Sequence, residues 1–236
     1  MSRGLGDVYK RQVLKGAAAE LVTDGFEKVV DILKDTVIEM GNVDSAINDF
    51  QSKTGATAEE MTQYGETIKS LYRGSIGESM DDISDSAATV KRSLGDISPE
   101  TLEEVTKQAI TLRDVFGFDV QESMRAVKSM MDQFGISATE SFNLIVQGYQ
   151  SGLDQNGDLL DTLNEYSVQF ANSGYDANQM MNMLANGAKE GTWSVDKLGD
   201  AVKELHINLS DGSADEALAM LGLGTVSYTH LRAHET

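Results

Sequence analysis

The chain has 236 residues, of which 38 are acidic and 19 basic, and it contains one proline and no cysteine. The lack of cysteine excludes a disulfide framework and a thiolate metal site, and it leaves the redox compartment undetermined. So acidic a surface repels nucleic-acid phosphate and anionic lipid, and no apolar run approaches the roughly 18 residues that a membrane-spanning helix needs.

Both ends of the sequence resemble translated sequencing-adapter DNA, read from opposite strands of one adapter. These stretches are SRGLGDVYKRQ at 2–12 and VSYTHLRAHET at 226–236. Such scars carry no fold information. We therefore predict that residues 1–12 and 226–236 lie outside the fold, and that residues 13–225 are an internal part of a longer protein.

Residues 13–53 are predicted to form an amphipathic, coiled-coil-like helical segment. Apolar residues from Phe26 to Met40 recur at spacings of four and three, which is typical of a coiled-coil seam. The stripe covers too few heptads to distinguish a coiled coil from one amphipathic helix that lies on the following domain.

Residues 54–210 are predicted to be an all-α region of short helices. Thr57 with Glu60 makes a capping box, in which two otherwise unpaired backbone N–H groups are bonded reciprocally. Ser98 before Pro99 indicates the start of another helix. Proline is favourable at the first helical position because the N–H that it lacks would have no partner within the helix there. Three stripes of apolar residues at helical spacing lie in this part of the chain, from Met61 to Leu71, from Met80 to Leu94 and from Leu102 to Phe116.

One short phrase then recurs, as FGFDVQESM at 116–124, FGISATESF at 134–142 and SGYDANQMM at 173–181. In each, a glycine ends one helix, an apolar residue follows, and an Asp or Ser caps the next helix. The predicted box-like pairs are Asp119 with Glu122, Ser137 with Glu140, and Asp176 with Gln179. The phrase indicates a tandem row of helices, which either a helical-hairpin array or a compact helical domain would satisfy.

Two further helix starts are predicted at Asp158 and Ser194, the second with Leu205 on its buried face. Residues 206–209, HINL, are predicted to be a short strand or an extended linker. Ser213 is predicted to begin a last helix within 211–225.

No metal or cofactor site is predicted. Asp154, Asn156, Asp158 and Glu165 match ligand positions of a calcium loop, but Leu159 stands where the sharp turn of such a loop needs glycine. An N-cap at Asp158 after an Asn-Gly turn explains the same residues without a metal.

No catalytic residue is predicted either, and we expect the chain not to be an enzyme. His206 is the only histidine before residue 226, so neither a zinc set nor a nucleophile triad can form from this stretch alone. Asp81, Asp82 and Asp85 lie on the polar side of a helix, with nothing nearby in sequence to raise the pKa of one of them.

Three residues are candidate partner contacts. Trp193 directly precedes the Ser194 cap, where it either anchors the helix or forms a binding hot spot. Met180 and Met181, with Met183 beside them, form either core filler or an adhesive helix groove.

Several longer runs carry a resemblance to a known family. They are FQSKTGATAEEM (50–61), LRDVFGFDVQESMRA (112–126), NGDLLDTLNEYSVQF (156–170) and MLANGAKEGTWSVDKLGDAVKEL (183–205). In this order they resemble the core region of bacteriophage tail tape measure proteins, over roughly residues 45–210.

The resemblance implies a structural virion protein in the lumen of the tail tube, made in the host cytoplasm, which sets tail length and is expelled during DNA delivery. It implies the tail tube protein and tail assembly chaperones as partners and is compatible with a homo-oligomer. From the acidic charge and the lack of a long apolar run, we expect no direct nucleic-acid binding and no membrane span. The alternatives are a cellular helical-repeat scaffold and a piece of a cell-wall hydrolase whose carboxylates cannot be placed.

Overall fold

A computed structural model describes residues 43–74, 76–191 and 194–213 of the chain. These ranges contain helices and turns and no strand, which confirms the all-α prediction. The predicted lead helix over Phe26–Met40 lies outside the described residues. The helices within the ranges are α1 (Val43–Thr54), α2 (Ala58–Arg73), α3 (Met80–Leu94), α4 (Pro99–Phe116), α5 (Val120–Phe134), α6 (Ala138–Gln150), α7 (Leu159–Asn172), α8 (Ala177–Lys189) and α9 (Val195–Asp211).

The chain divides into two compact units, and the division falls between Gln147 and Gly148. Unit 1 holds α1 to α5 and most of α6, and unit 2 holds α7 to α9. Within each unit a helix packs mainly on the next helix in the chain or on the one after it. None of the described helices is both long and apolar enough to cross a membrane.

The core of unit 1 is built from the predicted apolar stripes. Helix α3 packs on α1, α4 and α5, and α2 packs on α4. Polar bonds between helices fix this packing: the buried Ser84 hydroxyl donates to the Ala46 carbonyl at 2.6 Å, and the Tyr64 hydroxyl donates to the Ile97 carbonyl at 2.6 Å. The largest fully buried side chains of unit 1 are Phe50, Ile68, Leu71, Ile76, Ile83, Leu102, Ile110, Leu112, Met124, Met130 and Phe142.

Unit 2 is held together by close approach of α9 to α7. Gly199 lies against the ring of Tyr166 so tightly that a Cβ at position 199 would be 2.3 Å from Tyr166 Cδ2. The Tyr166 hydroxyl donates to Asp196 at 3.2 Å, and the Lys203 ammonium lies 5.9 Å from the centre of the Tyr166 ring. Glycine is therefore required at 199 because the ring occupies the space of a side chain.

The predicted caps are largely present. Complete boxes join Thr57 to Glu60 and Asp176 to Gln179, and the Ser137 and Glu140 side chains likewise accept from each other's backbone N–H at 3.1 and 2.8 Å. Ser98 caps α4 by accepting from the Thr101 N–H at 3.1 Å, with Pro99 at the first turn.

Asp119 caps α5 by itself rather than in a box. Its carboxylate accepts from the Gln121 and Glu122 N–H groups, and the Glu122 carboxylate lies 3.8 Å from Arg125 instead. The glycines at 117 and 135 end their helices with positive φ, as the repeated phrase predicts. At the third copy the turn is a Schellman motif, in which the Tyr175 N–H donates to the Phe170 carbonyl across Gly174.

Two predictions about the end of unit 2 are wrong. Residues 206–209 are neither strand nor linker, because α9 continues through them to Asp211 and ends on Gly212. The apolar spacing of Leu205 and Leu209 extends the helix, and this outweighs the β-propensity of Ile207. Leu205 is also not buried: 56% of its surface is exposed.

Candidate interaction surface

Two of the three candidate partner contacts lie in the part of the chain that the structure describes. Trp193 lies outside the described residues. Met180 is fully buried and Met181 nearly so, and the Met181 methyl group lies against Gly148. Only their neighbour Met183 is substantially exposed, at 37%. Met180 and Met181 therefore occupy core positions within unit 2, which is the role expected of core filler.

The stretch that resembles a calcium loop makes protein contacts instead. The Asp154 carboxylate accepts from the Leu159 N–H at 3.2 Å, so Asp154 bonds a backbone N–H at the start of α7. Asp158 occupies the N-cap position without capping, and its Oδ2 accepts from the Ser194 hydroxyl at 2.6 Å. Ser194, at the N-cap position of α9, likewise makes no cap bond of its own.

Asp154 and Asp158 are a partly buried pair of carboxylates. Burial raises the pKa of Asp154, and the charge of nearby Asp158 raises it further, against the Leu159 N–H bond that lowers it. Asp158 Oδ1 is buried and has no hydrogen-bond partner among the described residues. No group of three or more potential metal ligands occurs in the part of the chain that the structure describes.

Asp82 and Asp85, two of the three α3 carboxylates considered for catalysis, are engaged in ion pairs. Arg113 on α4 binds Asp82 in a bidentate pair, with Nη2 and Oδ2 2.9 Å apart, and Lys53 on α1 binds Asp85. Each pair joins two helices of unit 1. Arg113 also contacts Asp114 at 2.8 Å, where burial raises the pKa of the Asp114 carboxyl group although Arg113 opposes the rise.

An open groove between α2 and α4 is lined by acidic side chains of unit 1. Its volume is about 540 Å³, and Glu66, Glu100 and Glu103 line it together with Ser70. Lys69 pairs with Glu66 at 2.8 Å and Lys107 with Glu103 at 2.5 Å, so two of its three carboxylates are already neutralised.

A stretch of sequence without basic residues lies further along the chain. Residues 129–188 contain no Lys, Arg or His but contain seven acidic residues. Asp161 and Glu165 are four residues apart and exposed on the outer side of α7. We call the exposed pair of Asp161 and Glu165 the acidic face of unit 2. It can attract a basic partner, and salt would screen that attraction.

His206 takes part in no reactive cluster among the described residues. Its Nδ1 lies 3.3 Å from the Ser173 hydroxyl, a contact that joins the end of α7 to α9. Sequence reasoning missed Gly199 as a contact point. The signal was present, because an isolated glycine in a helical pattern indicates close approach of another element.

Comparisons with known proteins find one family model and two curated relatives. A family model described as phage-related minor tail protein matches residues 58–234. A "Probable tape measure protein" of Streptomyces phage phiC31 is 37% identical over 76 residues, which are 32% of this chain and 10% of that protein. The "Uncharacterized protein YqbO" of Bacillus subtilis (strain 168) is 30% identical over 99 residues, 42% of this chain and 6% of that protein.

The chain thus spans a tenth or less of the length of these curated relatives. No solved structure matches it.

Proposed function

Since the chain belongs to the phage-related minor tail protein family, we propose that it is a segment of a tail tape measure protein. In this role it is a structural protein of the phage tail, and the length of the whole protein sets the length of the tail tube. It lies in the tube lumen after assembly in the host cytoplasm, and it is expelled when DNA is delivered.

The observation that carries the proposal is the identity shared with the phiC31 tape measure protein, together with a row of capped helices. A helix rises 1.5 Å per residue, so a helical chain can convert residue number into length. Family membership also favours a tail protein over a cellular helical-repeat scaffold.

Deleting unit 2 from the full-length gene tests the length role. Residues 148–213 are the described part of one compact unit, which makes them a natural segment to remove. If the segment is helical along the tube, tails should shorten by roughly 100 Å, as measured by electron microscopy. Replacing the same residues with an unrelated helical segment of equal length should restore the normal length. Normal tails that contain the shortened protein would overturn the proposal.

We propose that the acidic face of unit 2 binds a basic surface on the tail tube protein or on a tail assembly chaperone. Because the attraction is between exposed charges, its affinity should fall steeply as salt rises. Replacing Asp161 and Glu165 with Asn and Gln should weaken binding and flatten the salt dependence. Asp132→Asn is the matched control, because Asp132 is already paired with Lys128. Binding that does not respond to salt would contradict the proposed role of the acidic face.

Trp193 remains a proposed partner contact. It is the only tryptophan in the chain, so its fluorescence reports on residue 193 without background. A partner that covers the indole ring should shift its emission to shorter wavelength, and Trp193→Ala should weaken that partner's binding more than Trp193→Phe does. Binding that is unchanged in both variants would remove Trp193 from the interface.

A further inference from the structure

The sequence contains two Asn-Gly steps, and the structure places them in different backbone settings. Asn156–Gly157 lies in the turn before α7, and Asn186–Gly187 lies inside α8. Both asparagines are exposed to solvent. The two steps therefore have the same local chemistry and similar access to water, and they differ in the conformation of the backbone.

An asparagine that is followed by glycine is chemically labile, because the backbone nitrogen of the glycine can attack the asparagine side chain. The nitrogen loses its proton and bonds to Cγ of the asparagine, the bond between Cγ and the side-chain nitrogen breaks, and ammonia leaves. Water then opens the cyclic imide. Opening at one carbonyl gives aspartate, and opening at the other gives isoaspartate, in which the main chain runs through the side-chain carbon atoms. Glycine favours the attack since it has no side chain to hinder a close approach.

The turn around Gly157 leaves the attacking nitrogen accessible. Gly157 has a φ of 72°, and a Cβ at this position would meet no described atom within 4 Å beyond its chain neighbours. Its N–H donates to the Asp154 carbonyl at 3.2 Å, which is at the long end of the range for such bonds. An exposed turn opens more readily than the interior of a helix, so the Gly157 nitrogen can reach the Asn156 side chain.

Helix α8 holds Gly187 in a way that opposes the same reaction. Inside an α-helix the N–H of residue 187 donates to the carbonyl of residue 183, so the attacking nitrogen is engaged. Leu198 fills the space where a Cβ at position 187 would lie, with Leu198 Cδ2 only 2.6 Å from that point. Reaction at Asn186 therefore requires α8 to open locally and to leave its contact with α9.

We propose that Asn156 is a site of spontaneous deamidation in the folded protein, and that α8 protects Asn186. Water is the co-reactant and ammonia is the product released, so the conversion needs no enzyme and no cofactor. It depends only on the turn before α7 and on α8, and so it is independent of the role of the chain in the phage tail.

The modified turn lies between two carboxylates that hold helix starts in place. Asp154 accepts from the Leu159 N–H at the start of α7, and Asp158 accepts from the Ser194 hydroxyl at the start of α9. Isoaspartate at 156 adds one carbon atom to the main chain between these two carboxylates. It should therefore shift them relative to each other, weaken both bonds and lower the stability of unit 2.

Incubation of the full chain at mildly alkaline pH, followed by digestion with Glu-C protease, measures the two conversions separately. Cleavage after glutamate places Asn156 in peptide 141–165 and Asn186 in peptide 166–190. Electron-transfer fragmentation locates the modified residue and distinguishes aspartate from isoaspartate. In the folded protein Asn156 should convert at least about tenfold faster than Asn186, a ratio that corresponds to an opening free energy of about 1.4 kcal/mol for α8.

The same incubation in guanidinium chloride is the matched control, since it removes the turn and the helix but keeps both sequences. Asn156 and Asn186 should then convert at similar rates. Equal rates in the folded protein, or faster conversion of Asn186, would overturn the proposal. Conversion of Asn156 in denaturant but not in the folded protein would overturn it as well, because it would show that the turn blocks the attack.

Two variants separate the added charge from the altered main chain. Asn156→Gln should keep a constant midpoint of urea unfolding during the incubation, because its longer side chain would have to close a larger ring. Asn156→Asp carries the new carboxylate on a normal main chain, and it should be more stable than incubated wild-type protein that contains isoaspartate. Equal stability of these two proteins would show that the loss comes from charge alone, and the proposed effect of the added main-chain atom would be wrong.

Discussion

The Ser194 hydroxyl donates to Asp158 Oδ2 across 2.6 Å, so the residues that begin α9 and α7 bond to each other and not to their own helices. This bond joins positions 36 residues apart in sequence. It replaces two local caps with one contact that fixes the relative position of two helix starts in unit 2.

We predict that Ser194→Ala destabilises unit 2. The substitution would leave both oxygens of the half-buried Asp158 carboxylate without a donor among the described residues, because Oδ1 already has none there. An unsatisfied buried acceptor costs about 1–3 kcal/mol in the free energy of unfolding. Urea denaturation followed by circular dichroism measures the change.

Ser210→Ala is the control for this prediction, since the Ser210 hydroxyl donates to the His206 carbonyl on an exposed part of the same helix. It should change the free energy of unfolding by less than about 0.5 kcal/mol. Equal losses in the two variants would show that the Ser194–Asp158 bond contributes no more than helix propensity.

Gly199→Ala should destabilise unit 2 although alanine favours helix. The added methyl group would meet the Tyr166 ring at 2.3 to 2.8 Å, and a ring locked between helices cannot move aside easily. Overpacking of this kind costs about 1–3 kcal/mol. The midpoint of thermal unfolding should fall.

Gly65→Ala is the matched substitution in unit 1. Gly65 lies inside α2, and the nearest side-chain atom to an added Cβ is Ile47 Cδ1 at 3.8 Å, an ordinary contact distance. Here the gain in helix propensity, about 0.5–1 kcal/mol, should dominate and raise stability. If Gly199→Ala and Gly65→Ala both raise stability, or both lower it, the packing described around the two glycines would be contradicted.

Thr111→Val should stabilise unit 1. Thr111 is fully buried in α4, and its hydroxyl has no hydrogen-bond partner among the described residues. Valine has nearly the same shape and removes the uncompensated polar group, so we expect a gain of about 1 kcal/mol in denaturant unfolding.

Ser84→Ala should instead lower the free energy of unfolding, although Ser84 is as deeply buried as Thr111. The reason is that the Ser84 hydroxyl donates to the Ala46 carbonyl and joins α3 to α1. The loss should be about 1–3 kcal/mol. If Thr111→Val is destabilising, its hydroxyl has a donor or acceptor role that the structure does not explain.

Glu140 should give the protein part of its stability against acid. The Ser137 backbone N–H, and then the Ser137 hydroxyl, lower the pKa of Glu140 below its ordinary value of 4.5. Since the folded pKa is the lower one, the stabilisation is fully present above pH 4.5 and is lost as pH falls through the folded pKa. An NMR titration of the side-chain carboxyl group measures that pKa.

Ser137→Ala provides the comparison, because it removes the hydroxyl and keeps the backbone N–H. The pKa of Glu140 should rise only part of the way to its ordinary value, and Glu140→Gln should remove this component from the pH dependence of unfolding. An unchanged pKa in Ser137→Ala would show that the hydroxyl plays no part.

Features that depend on a few adjacent residues could be predicted from the sequence. Thr57 with Glu60, Ser98 with Pro99, and Asp176 with Gln179 are such cases, because a cap involves only residues within one helical turn. The all-α class follows from the same local signals.

Features that depend on residues far apart in the chain could not be predicted from the sequence. Ser194 and Asp158 look like ordinary caps, and only the packing of α9 on α7 shows that they bond to each other. The exposure of Leu205 is of the same kind, since a helical stripe shows which residues share a face but not how far along the helix that face is covered. The division after Gln147 falls inside α6, where no glycine or proline run marks a boundary.

Within each unit, the helix pairs that pack together are neighbours or next neighbours in the chain. Such a topology has low contact order, and proteins of this kind fold in microseconds to milliseconds. With no disulfide to reform and a single prolyl bond, neither unit has a reason for slow refolding. A chain drawn out by force should therefore recover its helical units almost as soon as the tension is released.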